Sequence, residues 1–215
     1  MKNIILDSHL KSSLAAIRSL SKRGLVVTSG SDRKTAMGNY SRYANDAFIY
    51  PSPLKDEEKF VNKVFDVVWS QEKSIIYTFS DSTFLPISRT RERFESHVSW
   101  MISSQESVEI AFDKSRTLKL AQSLGIPIPE TRFIDDISQL DHVVDMKYPA
   151  VIKPKHSASW VKKQGINGRV SFAFNAEDLR RKYLETYEKT GELPLIQTWM
   201  AGEEFGVDVL CDQGR

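Results

Sequence analysis

The chain has 215 residues, 40% of them apolar and 27% charged, which is the composition of a folded globular protein rather than a disordered one. Lys and Arg number 30 against 28 Asp and Glu, and the resulting net charge of +2 gives no basic footprint for nucleic acid. The single cysteine, Cys211, excludes an intramolecular disulfide and indicates a reducing compartment. No apolar run approaches the roughly 20 residues of a membrane span, and no signal peptide is recognisable at the start. We therefore predict a cytoplasmic location and neither a membrane nor a nucleic-acid partner.

The first 80 residues alternate between short apolar runs and repeats with helical spacing. Apolar runs predict strands at residues 3–6, 25–28 and 74–79. Helices are predicted between them, the first ending at Gly24, whereas residues 33–50 have no clear pattern. Alternation of this kind predicts an α/β fold with a mostly parallel sheet and helices packed on it.

Polar residues follow two of these strands, at the edge where parallel sheets bind their ligands. Residues 29–32, Ser-Gly-Ser-Asp, are a predicted turn, and residues 80–82, Ser-Asp-Ser, follow the third strand. Ordinary turn chemistry is the preferred explanation of both groups. Residues 7–9, Asp-Ser-His, stand where a dinucleotide-binding domain would carry its glycine-rich fingerprint, so an NAD-binding domain is not predicted.

The second half of the chain is organised around residues 149–154, Pro-Ala-Val-Ile-Lys-Pro. Three apolar residues predict a buried strand, and Lys153 ends it, where its ammonium needs a partner. Residues 155–168 form a Ser-, Gly- and Lys-rich loop that could face an anion and should be mobile without a ligand. A second strand is predicted at 169–174, so a β-hairpin with a solvated basic loop stays an open alternative.

One helix is predicted before this pair of strands and one after it. Asp113 is predicted to cap a helix that ends at Gly125, and a capping box at Asn175 to open one that ends near Gly191. Residues 195–210 are predicted to form a strand, a short connection and a second strand. Residues 96–107 are weakly patterned and are predicted to join two units.

Taken in order, these features resemble the ATP-grasp family, the fold of D-alanine–D-alanine ligase, biotin carboxylase and the carbamoyl phosphate synthase large chain. The resemblance rests on Lys114 opening a helix, Lys153 before the Ser/Gly loop, and the seven-residue spacing from Gln197 to Glu204. It implies a Rossmann-like pre-ATP-grasp domain at residues 1–110, an ATP-grasp N-terminal subdomain at 111–194 and the start of the C-terminal subdomain at 195–215. Since the chain stops directly after a predicted strand, it looks truncated.

The resemblance also implies which residues bind ATP. Lys153 would reach the α- and β-phosphates, and Lys114 would approach them from another side, although either lysine could be solvated. Ser157 and Ser159 would lie in the loop that covers the phosphates. The loop differs from its family counterparts in carrying Lys155, His156 and Trp160.

The adenine and the ribose of ATP would contact the segment from Gln197 to Glu204. The Thr198 carbonyl and the Met200 N–H would pair with adenine, and the Gln197 amide oxygen would accept from its N6 group. Glu204 would accept from the ribose hydroxyls, with Glu203 as its rival. The side chains of Trp199 and Met200 are expected to pack in the core between two lobes.

The functional hypothesis follows from this resemblance. ATP would be the cofactor, with the Mg²⁺ site expected beyond residue 215 and no metal ligand within the chain. The substrates would be a small carboxylate and an amine or other nucleophile, joined through an acylphosphate, and the 215-residue chain alone is expected to be inactive. A non-catalytic nucleotide-binding or regulatory module is the first alternative, and a small-molecule-binding α/β protein without nucleotide chemistry is the second.

Overall fold

A computed structural model describes residues 1–69, 73–143, 145–156, 170–209 and 211, without the side chain of His142. The chain divides into two compact units, residues 1–117 and the part described from residue 118 to 155 and from 170 onwards. Among the helices described, none combines the length and apolar composition that a membrane-spanning segment requires.

The first unit is a parallel sheet covered on both faces. Its strands β1 to β4 lie in the order β3-β2-β1-β4, and all neighbours are parallel. The strands are β1 Lys2–Ile5, β2 Val27–Ser31, β3 Asp46–Ile49 and β4 Ser74–Tyr77, and the helices are α1 Lys11–Lys22, α2 Glu57–Trp69, α3 Asp81–Arg89 and α4 Gln105–Phe112. A single-turn 3-10 helix follows α3 at Arg91–Phe94.

Alternation along β1 explains why helices are needed on both faces of this sheet. Ile4 belongs to the cluster that holds the α2 residues Phe60 and Val64, whereas Ile5 packs with the α1 residue Ile17. Successive side chains of a strand point to opposite faces, so each face buries its own apolar set. The predicted parallel sheet with packed helices is therefore confirmed.

The second unit is an antiparallel sheet with one long helix packed against it. Its strands lie in the order β5-β8-β6-β7, namely β5 Thr131–Arg132, β6 Ala150–Lys153, β7 Ser171–Ala173 and β8 Leu195–Thr198. Helix α6 spans Ala176–Thr190, helix α5 Lys114–Ser123 crosses the division between the units, and a 3-10 helix spans Ile137–His142.

Both predicted caps are present. Asp113 Oδ1 accepts from the N–H groups of Ser115 and Arg116 at 2.7 and 3.1 Å, which begins α5. Asn175 Oδ1 accepts from Asp178 N at 2.9 Å, and α6 ends at Gly191, whose φ of +72° is the left-handed conformation that glycine adopts freely. The predicted capping box is only half formed, because Asp178 Oδ2 accepts from Phe174 N and not from the N–H of the cap residue Asn175.

Three local predictions are wrong. Residues 29–31 are not a turn but the second half of β2, and the segment judged irregular contains β3. The strand expected after residue 203 is absent from the described part of the chain, where residues 203–209 are irregular and exposed. A strand requires a partner for its backbone groups, and within the described residues this segment has none.

Candidate functional site: a sheet face in the second unit and a carboxylate hub in the first

At the carboxyl edge of the first sheet, the Asp7 carboxylate holds the ends of several elements together. Oδ2 accepts from Phe79 N at 2.9 Å and from Thr83 Oγ1 at 2.6 Å, and Oδ1 accepts from Ser80 Oγ at 3.0 Å. The Tyr50 hydroxyl, at the end of β3, lies 3.5 Å from Oδ1 and accepts from Asp7 N at 3.0 Å. Asp7 is 2% exposed and has a φ of +55°, an uncommon conformation that Asp tolerates better than most residues.

This hub fills the place where an open parallel sheet would bind a ligand. With the order β3-β2-β1-β4, the chain changes direction between β1 and β4, and ligands of such sheets bind at that switch point. Here the Asp7 carboxylate, in the loop after β1, instead accepts hydrogen bonds from Phe79 and Ser80 in the loop after β4. Burial, and then the Asp7 charge, raises the pKa of Tyr50, which keeps its phenol protonated. The Asp7 carboxylate thus accepts from the Phe79 N–H at this edge of the sheet.

Beside the hub, hydroxyl groups anchor the segment that follows β2. Ser8 Oγ and Ser29 Oγ both donate to Asn39 Oδ1, at 2.8 and 2.7 Å. His9 Nδ1 lies 3.3 Å from Ser31 Oγ and 3.8 Å from Asp32 Oδ1. The residues predicted at this edge therefore serve mainly internal contacts, which Ser29 and Ser31 make from strand β2 and not from the predicted turn.

In the second unit, the strand register places Lys153 and Gln197 on one face of the sheet. Lys153 is opposite Leu195 and Val151 is opposite Gln197, so all four side chains share a face. The other face carries Ile152 and its partners, which pack in the core with α6. Lys153 and Gln197 are diagonal neighbours across β6 and β8, a relation that sets their Cα atoms roughly 7–8 Å apart. Among the described residues Lys153 forms no ion pair with a carboxylate.

Hydrogen bonds fix which way the buried Gln197 amide points. Thr131 Oγ1 donates to the Pro129 carbonyl at 2.7 Å, so toward Gln197 this hydroxyl can act only as an acceptor. Gln197 Nε2 donates to it at 2.9 Å. The amide oxygen is therefore turned away from Thr131, and within the described part of the chain no hydrogen bond to it is present. It is an acceptor held in place on the Lys153 face.

Beyond β8 the backbone leaves the sheet within two residues. Thr198 N donates to the Glu130 carbonyl at 2.9 Å and Trp199 N to the Pro149 carbonyl at 3.0 Å, whereas the Met200 N–H has no backbone partner among the described residues. The side chains of Trp199 and Met200 are 47% and 65% exposed, so the expected packing between lobes is not seen.

The other predicted ATP-binding residues belong to different parts of the chain. Glu204 is exposed and lies in the irregular segment after β8. Lys114 is the first residue of α5 and belongs to the first unit. Ser157 and Ser159, with the loop predicted to be mobile, lie outside the described residues. In the part of the chain that is described, no three His, Cys, Asp or Glu side chains are grouped as metal ligands.

Two functional features were missed by the sequence reasoning. The Asp7 hub depends on Phe79 and Thr83, more than 70 residues away, and only the position of an acid directly after a buried strand hinted at it. Thr131 contacts Gln197 because β5 pairs with β8, and no local sequence pattern predicts that pairing.

Comparison with known proteins gives relatives and a shared fold, although no protein-family model matches the chain. The carbamoyl phosphate synthase large chain of Archaeoglobus fulgidus is 27% identical over 168 residues, covering 76% of this chain and 14% of the relative. The D-alanine–D-alanine ligase of Pseudomonas putida is 29% identical over 105 residues, covering 48% and 30%. The biotin carboxylase domain of Hydrogenobacter thermophilus 2-oxoglutarate carboxylase, solved with MgADP, superimposes with a TM-score of 0.66 at 15% identity over 93% of this chain and 44% of that one.

A parallel α/β unit followed by an antiparallel unit with one packed helix, as seen here, is the fold of the N-terminal portion of ATP-grasp enzymes. The resemblance deduced from Lys114, Lys153 and the Gln197–Glu204 spacing is thereby confirmed at the level of the fold. Within that class, the curated relatives of the chain are the carbamoyl phosphate synthase large chain and D-alanine–D-alanine ligase. The chain spans less than a third of the length of either relative.

Proposed function

We propose that the second unit binds ATP on the sheet face that carries Lys153 and Gln197. The observation that carries the proposal is the oriented Gln197 amide, whose nitrogen is bound to Thr131 and whose oxygen is left on that face. An amide oxygen accepts from the adenine N6 donor and is a poor match for the guanine carbonyl. Lys153, a diagonal neighbour, supplies the positive charge that phosphates require.

The remaining contacts of the proposed site are assigned by resemblance to ATP-grasp enzymes. The Thr198 carbonyl and the Met200 N–H would hold adenine, and Glu204 the ribose. Further phosphate contacts would come from Lys114, Ser157 and Ser159, and the Trp199 backbone would complete the adenine strand. The division into domains at residues 110/111 and 194/195 belongs to the same proposal, as does a cytoplasmic location.

For the protein as a whole, we infer ATP-driven joining of a carboxylate to an amine. A carboxylate oxygen would attack the γ-phosphorus and release ADP, and the amine would then attack the acylphosphate carbon, lose a proton and release phosphate. Support comes from the ligase among the relatives and from the carbamoyl phosphate synthase match. Mg²⁺ would neutralise phosphate charge when bound, and in this chain Lys153 would share that role.

The test is nucleotide binding followed by thermal unfolding and by amide NMR. With a Kd of about 1 mM, 5 mM ATP stabilises the folded chain by about 1 kcal/mol, or roughly 2–4 °C. Lys153→Ala should abolish most of that shift, whereas Lys189→Ala, which removes an exposed lysine near the end of α6, should leave it unchanged. Gln197→Met should weaken ATP more than GTP, because only ATP uses the lost acceptor. An absent shift together with unchanged Met200 and Trp199 amide signals would refute the proposal.

A further inference from the structure

The first unit carries an open surface pocket that belongs neither to the hub nor to the sheet face in the second unit. It has a volume of about 620 Å³ and lies between the second half of α1 and the segment at residues 37–43. Three cationic side chains line it: Arg18 and Lys22 from α1, and Arg42 from the segment. We call this the α1 pocket.

None of the three cations is neutralised by the described part of the chain. No ion pair joins Arg18, Lys22 or Arg42 to a carboxylate there, and the hydrogen bond of Arg42 is to the phenol of Tyr43, at 3.1 Å. Cations elsewhere are bound differently: Arg181, for example, donates to Asp178 and to Glu185. Three like charges at one cavity repel one another, so an anion placed among them lowers the electrostatic energy.

The fields of the three cations converge at Tyr43. The Arg42 guanidinium, hydrogen-bonded to the phenol, lowers the pKa of Tyr43, and Lys22 and then Arg18 lower it further. Because each of the three favours the phenolate, each also favours an anion at that position. The guanidinium carbon of Arg42 lies over the Tyr43 ring, 5.0 Å from its centroid, which is within cation–π distance.

Apart from Ser41, the remaining lining residues are apolar or aromatic. Leu14, Met37 and Tyr40 line the pocket, and 76% of the Tyr40 surface is exposed. Ligand sites typically combine such surfaces with a few charged groups. A ring or chain on the ligand would therefore gain contacts that a bare inorganic anion cannot make.

The segment that forms one wall is held rigidly in place. Gly38 N donates to the Ser8 carbonyl at 2.9 Å, and a Cβ on Gly38 would lie 2.6 Å from Ser8 Cβ and 2.8 Å from Ile17 Cδ1. Asn39 is bound by the hydroxyls of Ser8 and Ser29. A preformed wall loses little conformational entropy when a ligand binds.

We propose that the α1 pocket binds a small organic phosphate, a phosphomonoester attached to an aromatic or apolar group. The phosphate is held by Arg18, Lys22 and Arg42, and the organic group rests on Tyr40 and Met37. The site lies wholly in the first unit and does not depend on ATP binding by the second. The organic phosphate therefore binds independently of the ATP proposed for the second unit.

Titration of the ¹⁵N-labelled chain with phenyl phosphate tests this site, with inorganic phosphate and phenol as matched probes. Saturable shifts of the Ser41 and Tyr43 amides are expected, with phenyl phosphate binding at least tenfold more tightly than either probe. Arg18→Gln and Arg42→Gln should each weaken binding about fivefold, and the double variant at least tenfold, as charge-assisted hydrogen bonds are lost.

Arg23→Gln is the matched control for charge. Arg23 follows α1, is exposed and bonds to Ser19, and it does not line the pocket, so binding should stay within twofold. Lys153→Ala should also leave phenyl phosphate binding unchanged. Equal weakening by Arg23→Gln and Arg42→Gln would overturn the proposal, because only net charge would then matter. Equal affinity for inorganic and phenyl phosphate would overturn the assigned ligand class.

Discussion

Removal of the Asp7 carboxylate should be the most damaging single change at the edge of the first sheet. Asp7→Ala leaves the partly buried Phe79 N–H without its acceptor, at a cost of about 2 kcal/mol. The Ser80 and Thr83 hydroxyls have second partners, Ser82 Oγ at 2.9 Å and the Ser80 carbonyl at 3.1 Å, so their loss adds only about 1 kcal/mol together. Alanine at a φ of +55° adds about 1 kcal/mol more.

The expected destabilisation of Asp7→Ala is therefore about 4 kcal/mol, whereas Asp7→Asn should cost only about 1 kcal/mol. Asparagine tolerates the left-handed backbone and can keep an oxygen toward Phe79 N. Its NH₂ group then meets hydroxyls of Ser80 and Tyr50, which can turn to accept. Asp66→Ala, at an exposed position of α2, should stay within about 0.5 kcal/mol of the wild type.

Urea unfolding combined with native-state hydrogen exchange measures this difference. Exchange of the Leu6 amide, which donates to the Tyr77 carbonyl at 2.9 Å, reports opening of the first sheet in particular. Its opening free energy should fall by about 4 kcal/mol in Asp7→Ala. A loss below about 1 kcal/mol, or an equal loss in Asp7→Asn, would show that the carboxylate does not hold this edge together.

Three further predictions concern stability. Tyr183 is fully buried and its hydroxyl has no hydrogen-bond partner among the described residues, so Tyr183→Phe should raise the urea midpoint by the equivalent of about 1 kcal/mol. A lower midpoint would reveal a missed partner. Tyr50 has a pKa raised above its ordinary value of 10.0, so the stability it contributes is complete below pH 10 and is lost above it, by about 1.4 kcal/mol per pH unit. Tyr50→Phe should flatten that alkaline loss in urea titrations between pH 9 and 11, and an unchanged slope would contradict it. Gly38→Ala should cost about 2–3 kcal/mol because the added Cβ would lie 2.9 Å from the Ser8 carbonyl oxygen. Its control, Gly24→Ala, should cost about 1 kcal/mol, since φ is +79° there and no atom lies within 4 Å of the added Cβ. Equal decreases in melting temperature for the two variants would contradict the close approach at Gly38.

Local patterns were sufficient for most of the elements. The apolar runs at β1 and β6 and the periodic residues of α2 bury their side chains as predicted, since such patterns describe which face of an element meets the core. β3 was missed because it is an exposed edge strand, held by its hydrogen bonds to β2 rather than by buried side chains. The segment at 203–209 has the alternation of a strand, but alternation alone supplies no partner for its backbone.

By itself, the sequence determined the α/β class, the order of the two units, and the placement of Lys153 and Gln197 on two predicted strands. These features depend on apolar periodicity, caps and breakers, which act over a few residues. Only the tertiary structure decided that Gln197 shares a face with Lys153 and that Thr131 orients its amide. It likewise decided that Asp7 closes the switch point of the first sheet, because such contacts join residues far apart in the chain and depend on register and on burial.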